Sequence, residues 1–283
     1  MRAFVLGLGL VACGNSAVTT DAGSDASDGG ACVLATNTSP TGTVTSGCAL
    51  VARDTSACSG MRQGAGLSGA WLRFSCRVGL AIVGANVQIT ADSQPDYASN
   101  YFAKTNACWA SFTPSFPDPN TISSQQIVML VPLAPTTAAQ AMSLGAVGVA
   151  VNGVAIFDNQ AAPNDDIYDE AKSFDECQGH PQNTGMYHYH SEPYAISYDD
   201  DALIGVLRDG SFVYGRRDPD GSVPANLDAA GGHTSTTIDS PTTPVYHHHA
   251  NLQTSTNPNS AGQTAWFLTT GQYAGPPGTC TGC

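Results

Sequence analysis

Asp175-Glu-Cys-Gln-Gly-His180, followed by Tyr187-His-Tyr-His190, recurs as Asp228-Ala-Ala-Gly-Gly-His233, followed by Tyr246-His-His-His249. Each copy is an Asp, three residues, a Gly-His pair and then a Tyr-His-x-His segment. All seven histidines of the 283-residue chain lie in these two units. On an extended strand alternate side chains share a face. His188 and His190 therefore face one way, and Tyr187 and Tyr189 the other. His247 and His249 repeat this, opposite Tyr246 and His248. Two imidazoles two residues apart chelate one ion from a rigid strand, and the Gly-His histidine makes a third. Neutral imidazole suits zinc, copper, iron and nickel. The candidate metal ligands are His180, His188 and His190, with His233, His247 and His249. The expected cofactor is a transition metal, copper or zinc. The sets close either as one ion per repeat or as one shared centre. Asp175 and Asp228 hold matching places, and are expected as further ligands or as partners of an imidazole's second nitrogen.

The repeat continues upstream. Gly148-Val-Ala-Val-Asn-Gly-Val-Ala-Ile-Phe157 matches Gly205-Val-Leu-Arg-Asp-Gly-Ser-Phe-Val-Tyr214. Each reads as a short apolar strand, an Asn-Gly or Asp-Gly turn of type I′, and a second strand. The offsets are 57 residues at Gly148, 53 at Asp175 and 59 at His188. Such close offsets indicate a tandem duplication of hairpin, Gly-His loop and Tyr-His-x-His strand, two units packed about a pseudo-twofold axis. Outside the repeats, 71–74, 81–90 and 127–131 carry strand signals separated by Pro and Asn clusters, and 138–144 suits a turn or two of helix. The expected fold class is mainly β: a β-sandwich-like domain with two tandem pseudo-repeats, stapled by disulfides.

Composition agrees. Charged residues are only 12% while Gly is 30 and Pro 17, which favours turn-rich β structure over helix. A net charge of −13 repels phosphate backbones and excludes nucleic acid as a partner. Met1-Arg2, an apolar run to Ala12 and then Cys13 read as an export signal too short to span a bilayer. Leu10-Val-Ala-Cys13 has the form of a lipobox, with Cys13 as the lipidated residue. Residues 14–31 are small, polar or acidic and read as a flexible acidic stem. The expected organisation is therefore 1–13 signal and lipobox, 14–31 stem, and 32–283 a single β-rich domain with its core over about 70–250. Gly14 rather than Asp after Cys13 favours the outer membrane or cell surface, so the membrane is an expected partner through a lipid. Cys32, Cys48, Cys58, Cys76, Cys108, Cys177, Cys280 and Cys283 form an even set. In an exported chain that reads as disulfides, whose pairing the spacing does not fix.

Phe174-Asp-Glu-Cys-Gln-Gly-His-Pro181 with Gly185-Met-Tyr-His-Tyr-His190 resembles the signature of the YHYH domain family. The resemblance continues through Gly148-Val-Ala-Val-Asn-Gly-Val154, Tyr214-Gly-Arg-Arg-Asp218 and Leu227 to Thr234, over about 70–250. It implies an exported, often membrane-attached, β-rich domain and implies no reaction. His248 departs from the pattern, where a Tyr is more usual, and so does Ala230, where the first copy has Cys177.

The leading functional expectation is an envelope-anchored lipoprotein whose histidines bind copper or zinc, for metal binding or metal-dependent chemistry. An alternative is a surface adhesion module that binds a glycan or protein in an aromatic–histidine groove. A further one is a zinc-dependent hydrolase with an open coordination position. Asp218-Pro-Asp-Gly-Ser222 reads as a turn rather than a calcium loop. The acidic run Asp165, Asp166, Asp169 and Glu170 reads as a solvated loop. No phosphate loop, dinucleotide fingerprint or nucleophile elbow is present.

Overall fold

A computed structural model describes residues 40–43, 47–163 and 165–283. Cys13, the stem and Cys32 lie outside the described residues. Strands β1 (Pro40–Thr43) and β2 (Ala49–Val51) form a small ribbon, followed by helix α1 (Ser56–Gly64). Strands β3 (Gly79–Val83), β4 (Asn86–Ala91) and β5 (Ile127–Pro132) are antiparallel neighbours, and β6 (Gln140–Ala141) leads into the repeats. The first repeat holds β7 (Ala146–Ala150), β8 (Ala155–Phe157), the helical turn α2 (Ile167–Glu170), β9 (Gly179–Pro181) and β10 (Tyr187–Tyr189). The second holds β11 (Leu203–Leu207), β12 (Phe212–Tyr214), β13 (Gly232–Thr237) and β14 (Ser240–His249). Strands β15 (Asn251–Thr254), β16 (Thr264–Phe267), β17 (Gln272–Tyr273) and β18 (Cys280–Thr281) complete the chain.

The repeats build one eight-stranded sheet in the order β13-β14-β12-β11-β7-β8-β10-β9. That order is symmetric about the β7–β11 pair. There Val149 faces Val206, with Gly148 opposite Leu207 and Gly205 opposite Ala150. Val149 and Val206 are equivalent residues, so the pseudo-dyad passes between them. A Cβ on Gly148 would lie 2.5 Å from Val206 O, and one on Gly205 would lie 2.4 Å from Val149 O. Glycine at both positions lets the halves meet. Outward from the dyad the registers match. His188 faces His180 as His247 faces His233, and Tyr189 faces Gly179 as His248 faces Gly232. β10 and β14 are five strand steps apart, about 24 Å along the sheet.

β18-β5-β4-β3 form a second, four-stranded sheet. Its strands alternate: Val87 and Ile89 on β4, and Ile127, Met129 and Val131 on β5, are buried. They share one apolar core with Val147, Val149, Ile156, Ile204 and Val206 of the large sheet. Strands β7, β8 and β11 are buried at every residue, the mark of strands covered on both faces. Disulfides join Cys48 to Cys177, Cys58 to Cys76 and Cys280 to Cys283.

Several local expectations need correction. Both hairpins form, but only the glycine of each pair has positive φ: +92° at Gly153 and +86° at Gly210. A type I′ turn needs two such residues. Here Gly153 N donates to Ala150 O and Ala150 N to Val154 O, the pattern of a three-residue loop ending in a left-handed glycine, and Gly210 and Leu207 repeat it. Gly69–Arg73 is a 3₁₀ turn rather than a strand; its three-residue period puts Trp71 and Phe74 on one side, stacked at 5.8 Å. Residues 81–90 hold two strands, not one, because the chain reverses at Gly84, with φ +61°. In 138–144, Gln140–Ala141 pairs with β17 instead of coiling. Helix α1 has no apolar stripe in its sequence. It is held by the Cys58–Cys76 bridge and by buried Arg62, whose guanidinium donates to the carbonyls of Phe74, Ser75 and Val78.

Candidate metal centres

The Asp-x-x-x-Gly-His segment is a shaped loop. Asp175 Oδ1 accepts from Cys177 N and Gly179 N, and Gln178 N donates to Asp175 O. Asp228 does the same with Ala230 N, Gly232 N and Gly231 N. The left-handed position is filled by Gln178 (φ +72°) in one copy and Gly231 (φ +82°) in the other. The second carboxylate oxygen takes the tyrosine of the next strand: Tyr187 OH donates to Asp175 at 2.6 Å, and Tyr246 OH to Asp228 at 2.9 Å. The tyrosine ring lies over the glycine. A Cβ on Gly179 would come within 2.4 Å of the Tyr187 ring, and one on Gly232 within 2.5 Å of Tyr246 OH. Asp175 and Asp228 thus fold the loop and hold a tyrosine. Their hydrogen bonds go to amides and hydroxyls instead of imidazoles, because the tyrosine face of the strand is turned toward them.

The histidines gather on the opposite face. In the first repeat His188 Nδ1 donates to Met186 O at 3.1 Å and His190 Nδ1 to Asp158 O at 2.5 Å. His180 Nδ1 donates to Ser173 Oγ at 2.8 Å, while that hydroxyl donates onward to Glu170 O. A carbonyl only accepts, so Nδ1 of His188 and of His190 carries the proton of a neutral imidazole and leaves Nε2 bare. His188 Nε2 and His190 Nε2 are 3.0 Å apart. Glu170 Oε1 lies 3.2 Å from His180 Nε2 and 3.8 Å from His190 Nε2. Phe157 stacks on His188 at 3.9 Å, and Phe174 lies parallel to His190 at 5.8 Å, which makes the surroundings apolar.

The second repeat reproduces this. His247 Nδ1 donates to Val245 O and His249 Nδ1 to Gly215 O; His233 Nδ1 donates to Asn226 Oδ1, where the first repeat has Ser173. His249 Nε2 is 2.9 Å from His247 Nε2 and 3.2 Å from His233 Nε2. Asp218 Oδ1 approaches all three at 3.4, 3.9 and 3.6 Å. In each group three imidazole nitrogens and one carboxylate oxygen lie within 4.8 Å of one another, a geometry able to hold a metal ion. An ion about 2.0 Å from each nitrogen in tetrahedral array sets the nitrogens about 3.3 Å apart, close to these spacings. The expected alternative of one shared centre gives way to two groups, one per repeat. All six histidines are at most 7% exposed, so they line no open groove. His248 stands apart on the tyrosine face, with Nδ1 on Ala230 O and, among the described residues, no hydrogen-bond partner at Nε2.

Sequence reasoning passed over the carboxylates. Asp218 does open a turn, with Asp218 N donating to Ser222 O, yet its side chain reaches the histidines. Glu170 belongs to an acidic run that reads as solvent-facing, but α2 turns it inward. The two acids do not occupy equivalent positions in the duplication, so the matching that singles out the histidines misses them. Each repeat has met the need for a fourth donor from a different place in its chain.

Burial governs the charge of imidazoles in both groups. Burial pulls His188 well below the ordinary imidazole value and His190 and His247 down to about 4, helped by neighbouring histidines, so these rings stay neutral. Burial also opposes charge on His180 and Glu170. Asp118 and Glu170 nevertheless hold His180 above its usual value, and His180 and His190 hold Glu170 below its own.

The family described as YHYH protein matches residues 128–243, a stretch from β5 into β14 that contains Glu170, His180, His188, His190, Asp218 and His233. No curated protein and no solved structure matches the chain. Residues 128–243, which carry both hairpins and the first histidine group entire, are similar to the YHYH family.

Proposed function

We propose that this protein is an envelope-anchored metal-binding protein that holds two transition-metal ions, copper or zinc, one in each repeat. The observation that carries this is the convergence of three imidazole nitrogens and a carboxylate oxygen, made twice with non-equivalent acids. Nitrogen and oxygen donors without sulfur suit borderline divalent ions. A tetrahedral zinc ion would find four donors already in place, which supports firm binding over an open hydrolytic site. Copper(II), the strongest binder of the first-row divalent ions, would be favoured by the imidazoles. Attachment through Cys13 and placement at the outer membrane or cell surface rest on the lipobox-like Leu10-Val-Ala-Cys13 and the stem. The disulfides support passage through an oxidising compartment. The test is metal content after replacing His188 and His190 by Ala, and separately His247 and His249 by Ala. Each pair is expected to remove one ion and spare the other; unchanged metal content in both would overturn the reading.

A further inference from the structure

The two centres differ by one charge. The loop Pro114-Ser-Phe-Pro-Asp-Pro-Asn120 lies between β4 and β5, outside the duplicated units, and packs against the first centre. Phe116 N donates to Lys172 O, Asp118 N to Tyr101 OH, Ile122 N to Tyr101 O and Ser123 N to Gly185 O. Pro117 and Pro119 flank Asp118 and restrict the backbone there. Asp118 Oδ1 accepts from Asn120 N at 2.7 Å, and Oδ2 faces His180 Nδ1 at 3.6 Å. That distance is beyond a hydrogen bond, so Asp118 acts on the ring by charge, while Nδ1 itself meets Ser173 Oγ at 2.8 Å. Among the described residues no lysine or arginine pairs with Asp118; Lys172, next to Ser173, is turned to Asp169.

No equivalent acid stands behind His233 among the described residues. Its Nδ1 meets the neutral Asn226 Oδ1 at 3.0 Å, and the acid of that centre is Asp218. Asp201 and Arg217, of opposite charge, wall the hollow beside His247 and His249. A divalent ion held by Glu170, with Asp118 behind His180, is balanced by two carboxylates. Held by Asp218, it keeps one positive charge among histidines that are at most 7% exposed. Uncompensated charge is costly in such surroundings. A carboxylate behind a ligating imidazole also strengthens the ring's other nitrogen as a donor, and partners of this kind change metal affinity about 10–100-fold. We propose that Asp118 makes the first centre the tighter of the two, so that a divalent ion fills it first and the second centre is the exchangeable one. Asp118 acts through His180 and does not touch the ion. The proposal rests on the metal reading and adds to it an order of filling and the residue that sets it.

Zinc titration of the metal-free full chain in competition with a chromogenic chelator tests it. Two steps are expected, the first about tenfold tighter or more. The chain with His247 and His249 replaced by Ala reports the first centre alone, and the chain with His188 and His190 replaced reports the second. Asp118→Asn keeps the acceptor for Asn120 N and removes only the charge. It is expected to weaken the first centre about tenfold and leave the second as it was. Asn226→Asp places a charge behind His233 and is expected to tighten the second centre, a gain that disturbed folding does not produce. Equal affinities of the two centres, a first centre unmoved by Asp118→Asn, or a second centre unmoved by Asn226→Asp would overturn the proposal and leave metal binding standing. Absence of zinc uptake by the unsubstituted chain would overturn the metal reading beneath it.

Discussion

His188 Nε2 and His190 Nε2 stand 3.0 Å apart although both rings have already placed their protons on main-chain oxygens, those of Met186 and Asp158. Two bare lone pairs at that distance repel unless a cation lies between them. His247 and His249 reproduce the arrangement at 2.9 Å. Single substitutions should therefore separate the centres. His188→Ala is expected to lower bound metal by one ion per chain, and His247→Ala by the other, with the circular dichroism spectrum retained.

The acids are predicted to contribute to affinity centre by centre. Glu170→Gln should weaken the first centre about 10–100-fold and leave the second as it was; Asp218→Asn should do the reverse. Competition against a chromogenic chelator reads both. Equal weakening of both centres by either variant would contradict the assignment.

Acid should destabilise the metal-free protein. His190 and His247 titrate near 4 when folded, and near the ordinary 6.5 when unfolded. Between those values the unfolded chain binds more protons, so stability falls as pH drops through that window and is fully present above it. His188, shifted further in the same direction, adds to the loss. Urea midpoints of the metal-free chain should decline from about pH 7 to about pH 5; a flat profile would count against neutral buried histidines.

The loop that presents the Gly-His pair gives a structural prediction. Gly179→Ala and Gly232→Ala should each cost about 1–3 kcal/mol, because the new methyl meets a tyrosine ring. Gly60→Ala on α1, where a Cβ meets nothing within 4 Å, should instead stabilise by about 0.4–1 kcal/mol. Thermal unfolding of the three variants checks the contrast.

Asp175→Ala is predicted to destabilise the fold by about 2–4 kcal/mol while sparing metal content. It strands Ser99 Oγ, Tyr187 OH and two amides without touching an imidazole. Loss of metal from a variant that remains folded would place Asp175 in the centre after all.

The histidine sets and both hairpins were legible in the sequence because a strand's period of two and a duplicated Gly-His leave a readable trace. The matched Asp175 and Asp228 were visible for the same reason, yet matching reports shared structure as readily as shared chemistry: both serve the turn and its tyrosine. Glu170 and Asp218 were not legible. They sit in unlike local contexts, one on a helical turn and one at a Pro-containing turn, and only the folded chain brings them to the histidines. Helix α1 was hidden too, since a disulfide and Arg62 hold it in place of an apolar stripe. The separation into two centres follows from four strands standing between β10 and β14, an order no local pattern encodes.

Elemental analysis of the full chain, exported to an oxidising compartment and purified without a histidine tag, tests the central claim most directly. Two equivalents of copper or zinc per chain are predicted, one for each three-histidine group. A folded chain that carries no metal and takes up none when copper or zinc is added would contradict it.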